Sequence, residues 1–160
     1  MDLRRVNSDF SDNYPNGSVS ATEAAMNLVI TADLLRGRIA RLLRPFDLTP
    51  PSGLALGILA DADAPMPPNQ IAERMILSRA TMTGLVDSLE RREYVTRGAD
   101  PSDRRVRPVQ ITAEGRRVAL ESRTAVHDHQ RDWFDGMSER QRATLLDLLG
   151  RLQGRLSTDD

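Results

Sequence analysis

The side chains best suited to chemistry lie within residues 78–115. A short run of hydroxyl and basic side chains opens this stretch, and an arginine-rich segment follows it. The first run comprises Ser78, Arg79, Thr81 and Thr83, and the second includes Arg97, Arg104, Arg105 and Arg107. Arginine forms bidentate hydrogen bonds with phosphates and with guanine, and threonine offers a hydroxyl and a methyl group to base edges. These residue types suit contact with nucleic acid.

The first run begins a predicted helix over residues 79–92. At 100° per residue, four apolar side chains share one narrow arc, which is the predicted packing face. They are Met82, Leu85, Val86 and Leu89. Ser78 is the predicted N-cap, where its hydroxyl satisfies a backbone N–H or helps to hold a phosphate. A helix that recognises DNA presents its N-terminal residues to base edges, so Arg79, Thr81 and Thr83 are predicted to be within reach.

Gly84 lies on the arc opposite the packing face. A glycine inside a helix costs roughly 1 kcal/mol relative to alanine. Two explanations stay open from the sequence: close approach of the helix backbone to DNA, or simple toleration of glycine in a short helix.

The arginine-rich segment predicts a β-hairpin. Two extended runs, 94–97 and 106–112, flank the turn formers of GADPSDRR. Residues 96–117 hold six arginines and three acidic residues, a local net charge of +3, whereas the whole chain has a net charge of −1. Arg104 and Arg105 lie at the predicted tip, where a side chain can enter a narrow minor groove. Asp103 is predicted to hold Arg105 and support this wing. An ordinary solvated turn is the alternative.

Helical patterns surround this unit. Predicted helices cover residues 20–44, with Ser20 and Glu23 as a capping box, and residues 51–62, 69–75, 112–135 and 139–156. Helices 69–75 and 79–92, joined by the tight turn 76–77, form a helix-turn-helix pattern. The first and the last two helices carry long apolar stripes that one subunit leaves uncovered, which favours a helical dimer over a monomeric bundle.

Residues 1–20 show no sustained periodicity, which predicts a mobile arm. The alternative is an arm that crosses a partner subunit, with Phe10 and Tyr14 as anchors. No run of roughly 18 apolar residues or apolar signal core is present, so no membrane association and a cytoplasmic location are expected.

The composition excludes several kinds of chemistry. Cysteine is absent, which rules out disulfides, cysteine-ligated metal sites and thiol-based redox sensing. The two histidines, His127 and His129, would lie about 200° apart on a helix, which is poor geometry for a shared metal. There is no glycine-rich phosphate loop, and no Ser–His–Asp arrangement stands out. We therefore expect no enzyme, no catalytic residues, no metal and no cofactor.

The segment from about residue 49 to residue 115 resembles the winged helix-turn-helix of MarR-type (multiple antibiotic resistance regulator) transcriptional regulators. The resemblance is carried by IAERMILSRATMTGLVDSLERREYVTR and by DPSDRRVRPVQITAEG, within which Ile111, Thr112 and Gly115 end the second strand. The chain departs from the usual pattern at Pro67, Ile76 and Gly84.

This resemblance implies a mainly α fold with a small β-hairpin wing. After the flexible N-terminal arm that the sequence pattern predicts at 1–20, it implies a helical dimerisation region at 21–45 and 113–156 and a winged helix-turn-helix DNA-binding domain at 46–112. A ligand-responsive homodimer is expected, usually a repressor, that binds a palindromic operator in double-stranded DNA through helix 79–92 and wing 94–112. A small-molecule effector, with aromatic compounds as candidates, is implied without identified ligand-binding residues. The alternative is a winged-helix protein-interaction module without DNA binding.

The two arginines at the predicted wing tip can be tested directly. Replacing Arg104 and Arg105 together by alanine should weaken binding to many DNA sequences alike, because both interactions are electrostatic. The plot of log affinity against log salt concentration should flatten by about one for each phosphate that is no longer neutralised. Fluorescence anisotropy over a salt series measures both quantities, and an unchanged affinity and slope would contradict the minor-groove role.

Overall fold

The computed structural model describes residues 2–75, 77–99 and 107–158, which form helices and one antiparallel hairpin. The predicted fold class is confirmed. The helices are α1 (Phe10–Asn13), α2 (Val19–Leu43), α3 (Pro50–Ala60), α4 (Pro68–Met75), α5 (Arg79–Arg91), α6 (Ala113–Trp133) and α7 (Glu139–Leu156), and the strands are β1 (Val95–Arg97) and β2 (Val109–Ile111). A 3₁₀ turn, Arg44–Phe46, follows α2. The chain divides into two units, residues 1–126 and 127–160.

The core of the first unit is formed by α3, α4, α5, the hairpin and the first part of α6. The apolar arc predicted for α5 is confirmed, since Met82, Val86 and Leu89 are 1% exposed and Leu85 is 9% exposed. The other large side chains that are almost fully buried are Leu56, Ile71, Val95 and Val109. Burying each such side chain stabilises the fold by about 1.5–3 kcal/mol, so this arc fixes the rotation of α5 about its axis.

Helices α4 and α5 form the helix-turn-helix. The N–H of Leu77 donates to the carbonyl of Ala72 at 3.0 Å, which closes the end of α4. Ser78 then caps α5, as predicted. The turn between the two helices is short because only residues 76–78 separate them.

The hairpin is antiparallel, with Val95 opposite Ile111 and Arg97 opposite Val109. Met66, in the segment before α4, adds a bridge on the outer side of β2: its N–H donates to the carbonyl of Val109 at 2.9 Å and its carbonyl accepts from the Val109 N–H at 2.8 Å. The hairpin is thus attached through the backbone of β2 to the segment that leads into the helix-turn-helix.

The N-cap of α2 lies two residues earlier than predicted. Its N-cap is Ser18, whose side chain accepts from the Ala21 N–H, and the predicted capping box of Ser20 and Glu23 is wrong. Glu23 instead pairs with Arg5 at 2.6 Å and accepts from the Val6 N–H at 3.1 Å. The bond from Arg5, with that from Val6, holds the pKa of the Glu23 carboxyl below its usual range.

The N-terminal segment therefore lies along α2. Besides the contacts of Glu23, the side chain of Asn27 accepts from the Arg4 N–H at 2.8 Å and donates to the Arg4 carbonyl at 2.9 Å. Phe10 and Tyr14, the two predicted anchors, contact each other with ring centroids 5.2 Å apart in and beside the short helix α1.

Two long helices bury almost none of their own residues. In α2 only the last residue, Leu43, is buried, and α7 has no buried residue. In the second unit, α7 begins at a capping box formed by Ser138 and Gln141. The exposed leucines of α7 are Leu146, Leu148, Leu152 and Leu156.

Among the glycines of the described residues, Gly115 lies closest to a neighbouring backbone. A Cβ at this position would lie 2.0 Å from the carbonyl oxygen of Tyr94, so a larger residue must push the start of α6 away from the hairpin. We expect Gly115→Ala to lower the free energy of unfolding by about 3 kcal/mol or more, measured by urea denaturation.

Gly98→Ala is the matched control, because a Cβ there meets its nearest atom, the Pro108 carbonyl oxygen, at 3.8 Å. That substitution should change the free energy of unfolding by less than about 1 kcal/mol. Equal stability of the Gly115→Ala and Gly98→Ala proteins would contradict the close approach.

Candidate nucleic-acid interface

The N-terminus of α5 carries a small cluster of hydroxyl groups. The Ser78 Oγ accepts from the Thr81 N–H at 3.2 Å and lies 2.8 Å from the Thr81 Oγ1. Because an N-cap leaves the other first-turn N–H groups without helical partners, this end of α5 presents backbone donors as well as two hydroxyls. The arrangement suits a phosphate or the edge of a base.

The surface of α5 that continues from this cluster faces away from the core. Thr81, Thr83 and Gly84 are exposed, whereas Met82, between the two threonines, and Leu85, after Gly84, are buried. The structure thus leaves three of the sequence-predicted contacts exposed: Ser78 and Thr81 lie together at the N-terminus of α5, and Thr83 lies on the other flank of the buried arc. The side chain of Arg79 lies outside the described part of the structure.

Arg97 is held by two carboxylates of α5. Its Nη2 lies 2.5 Å from Asp87 Oδ1, and its Nη1 lies 2.9 Å from Glu90 Oε2. The Arg97 side chain is only 18% exposed. The sequence grouped Arg97 with the DNA contacts and missed this pairing, although the three-residue spacing of Asp87 and Glu90 places both carboxylates on one side of the helix.

Two more arginines of the locally basic segment are engaged within the chain. Arg116 donates to the Ala60 carbonyl at 3.0 Å, at the end of α3. Arg117 lies 2.5 Å from Glu114 and 2.7 Å from Glu121, and its hydrogen bond holds the pKa of the Glu114 carboxyl below its usual range. The net charge of +3 therefore overstates the positive charge that this segment presents to solvent.

One described arginine of the wing is open to solvent. Arg107 is exposed, and among the described residues it has no ion-pair partner. Asp103, Arg104 and Arg105, together with the predicted pairing of Asp103 and Arg105, lie outside the described residues.

Other kinds of site have no support in the described ranges. No group of three or more histidine, aspartate or glutamate side chains within them is arranged to hold a metal ion. His127 instead forms a hydrogen bond with Gln130, with 2.9 Å between Nδ1 and Oε1. None of the described helices is both long enough and apolar enough to cross a membrane.

A sequence model of the MarR family matches residues 46–106, which include α3, α4, α5 and β1. The chain belongs to the MarR family of transcriptional regulators. The match includes both helices of the helix-turn-helix and ends before β2. As predicted, the family and its relatives are transcriptional regulators and not enzymes.

Three proteins illustrate the similarity of this MarR-family chain to known regulators. YsmB of Bacillus subtilis (strain 168), an uncharacterised HTH-type transcriptional regulator, is 29% identical over 122 residues, which are 76% of this chain and 83% of YsmB. CouR of Rhodococcus jostii RHA1, solved bound to p-coumaroyl-CoA, is 28% identical with a TM-score of 0.69, and the match covers 78% of this chain and 87% of that one. S. aureus MepR, solved as a DNA complex, shares the fold with a TM-score of 0.78 at 19% identity, over 82% of this chain and 96% of the MepR chain.

The surroundings of Gly84 allow a test of the two explanations left open by the sequence. A Cβ at Gly84 would meet no atom of the described chain within 4 Å, so Gly84→Ala should raise the free energy of unfolding by about 0.5–1 kcal/mol. Thermal unfolding measures this change, and a loss of stability would contradict the open surroundings. Lower DNA affinity in this more stable variant indicates close approach to DNA, whereas unchanged affinity indicates toleration.

Proposed function

We propose that this MarR-family regulator is a homodimer that binds a palindromic DNA operator, represses transcription and is released by a small aromatic effector. One observation carries the proposal: the hydroxyl cluster of α5 is exposed at a capped helix N-terminus, and the buried arc of the same helix keeps these hydroxyls turned away from the core. The DNA complex of MepR supports a nucleic-acid partner for this fold.

The proposed DNA contacts rest on the exposed residues of α5 and on the sequence of the wing. Thr81 and Thr83 would meet base edges in the major groove, and Ser78 would help the helix N-terminus hold a phosphate. Arg104 and Arg105 would enter the minor groove beside it, and Arg107 would contact the backbone at the root of the wing.

Exposed apolar side chains of α2 and of α7 support the proposed dimer. Val29 and Leu34 of α2 are 60% and 54% exposed, and Leu146 and Leu148 of α7 are 69% and 56% exposed. Large apolar patches on the surface mark interaction sites, and a second copy with two-fold symmetry is the commonest partner. A symmetric dimer would place its two α5 helices about 34 Å apart, in successive major grooves of a palindrome.

An effector would act by changing this spacing. It must bind one arrangement of the dimer more tightly than the other, since equal affinity for both would shift nothing. The p-coumaroyl-CoA bound by CouR supports aromatic acids and their CoA thioesters as the first class to examine.

The runner-up is a protein-interaction module without DNA binding. The engagement of Arg97, Arg116 and Arg117 within the chain favours it, because fewer cations face a phosphate backbone. A net charge of −1 acts in the same direction.

One titration distinguishes the two functions. Purified protein is added to labelled DNA from upstream of its own gene, at several salt concentrations, with shuffled DNA of equal length as the control. A DNA-binding regulator should saturate the promoter fragment, lose affinity steeply with salt and protect two symmetric half-sites in a footprint. Absence of saturable, salt-dependent binding would overturn the proposed function in favour of the interaction module.

Release is measured in the same assay. Aromatic acids and their CoA thioesters are added to the preformed complex, and an aliphatic acyl-CoA serves as the control for the shared CoA group. Release by the aromatic compounds alone supports the proposed effector class, and release by every acyl-CoA would contradict an aromatic requirement.

A further inference from the structure

We infer that Arg97 is a positioning residue, which fixes the wing against α5 and neutralises two carboxylates of that helix. This inference rests on the proposed DNA binding and assigns Arg97 a role different from direct phosphate contact. Three features carry it: the bonding of the guanidinium, the position of Arg97 in the hairpin and the location of its acidic partners.

The guanidinium of Arg97 is already bonded at both terminal nitrogens. Asp87 takes one of them and Glu90 the other, at 2.5 Å and 2.9 Å. The paired arrangement withdraws the side chain from solvent, since 18% of it is exposed. Each nitrogen keeps a second N–H, but two carboxylates already neutralise the guanidinium and little of it is exposed, which makes direct contact with a phosphate unfavourable.

Arg97 is also the last residue of β1, where the hairpin leaves the core. Behind it, Val95 is buried, and Val109 on the opposite strand is fully buried. Beyond it the backbone is held by the Gly98 N–H, which donates to the Pro108 carbonyl at 2.8 Å. The ion pairs with α5 therefore lie at the root of the wing, where a small rotation displaces the tip most.

The partners of Arg97 lie on the helix proposed to enter the major groove. Asp87 and Glu90 keep 43% and 39% of their side chains exposed. Unpaired carboxylates at this position would repel the DNA phosphates across a short distance. Arg97 therefore links the wing to α5 and reduces that repulsion with the same two bonds.

The test uses two effects of opposite sign. If Arg97 contacts phosphate directly, Asp87→Ala with Glu90→Ala should tighten DNA binding, because it removes two negative charges and frees a cation. If Arg97 positions the wing, the same double variant should weaken binding, by about tenfold. Glu114→Ala with Glu121→Ala is the matched control, since it removes two carboxylates that pair with Arg117 on α6 and should not weaken binding.

Non-additivity provides the second arm. Arg97→Met keeps the apolar stem and removes the charge, and it should weaken binding about tenfold in the wild-type wing. In a protein that already lacks Arg104 and Arg105, the same substitution should reduce DNA affinity little further. A displaced wing acts through these two arginines, and they are absent from that protein. Thermal unfolding shows whether Arg97→Met is folded. Arg97→Lys keeps the charge but not the two-pronged geometry, so it should weaken binding to an intermediate degree. If Arg97→Met is unfolded, Arg97→Lys takes its place in this test.

The outcomes separate this inference from the function on which it rests. Equal or tighter DNA binding by the Asp87/Glu90 double variant overturns the inference alone, as does a full Arg97→Met effect in the protein without Arg104 and Arg105. Absence of saturable DNA binding by the wild-type protein overturns the proposed function, and the inference with it.

Discussion

The structure depends first on the burial of one arc of α5. Met82, Val86 and Leu89 are almost inaccessible to solvent, and their packing against the core fixes which residues of the same helix face outward. Ser78, Thr81 and Thr83 are exposed because burial of this arc fixes the rotation of the helix, with Thr81 and Thr83 on the two flanks of the arc. Residues that contribute nothing to contact with DNA thereby determine the direction of those that would. A substitution that leaves a cavity in this arc would consequently alter the proposed interface without changing any of its residues.

In this near-neutral chain, some arginines pair with groups of the chain itself, and only the remainder can bind an outside partner. Arg97 joins the hairpin to α5, Arg116 meets the end of α3, and Arg117 bridges two carboxylates of α6. Surface ion pairs contribute little each, about 0–1 kcal/mol, so the importance of the better-buried Arg97 lies in geometry more than in stability. Counting charges along the sequence overstates the potential available to phosphate, since a paired guanidinium attracts a third anion weakly. The proposed affinity for DNA therefore depends on fewer cations than the sequence contains.

The sequence could predict what is periodic or local. The arc of α5, the cap at Ser78, the hairpin and the course of α7 all follow from spacing and residue type, and the structure confirms them. Contacts between distant residues could not be predicted in this way. Glu23 is well placed for a capping box, yet Arg5 and the Val6 N–H take its carboxylate, and α2 starts instead from Ser18. The pairing of Arg97 and the close approach of Gly115 to Tyr94 likewise exist only once the hairpin has folded onto the helices.

Helical glycines offer an independent view of the surfaces left for partners. Gly84 on α5 and Gly150 on α7 each lie within a helix, where glycine costs about 1 kcal/mol relative to alanine, and a Cβ at either would meet no atom of the described chain within 4 Å. Intramolecular packing therefore gives no reason for either glycine. Both glycines lie on helices that are proposed to contact a partner. The exposed face of α5 would contact DNA, and the leucine-bearing helix α7 would contact a second copy of the chain. A glycine permits a partner to approach the helix backbone more closely than any other residue, so the same property that weakens each helix in the free chain can strengthen the complex.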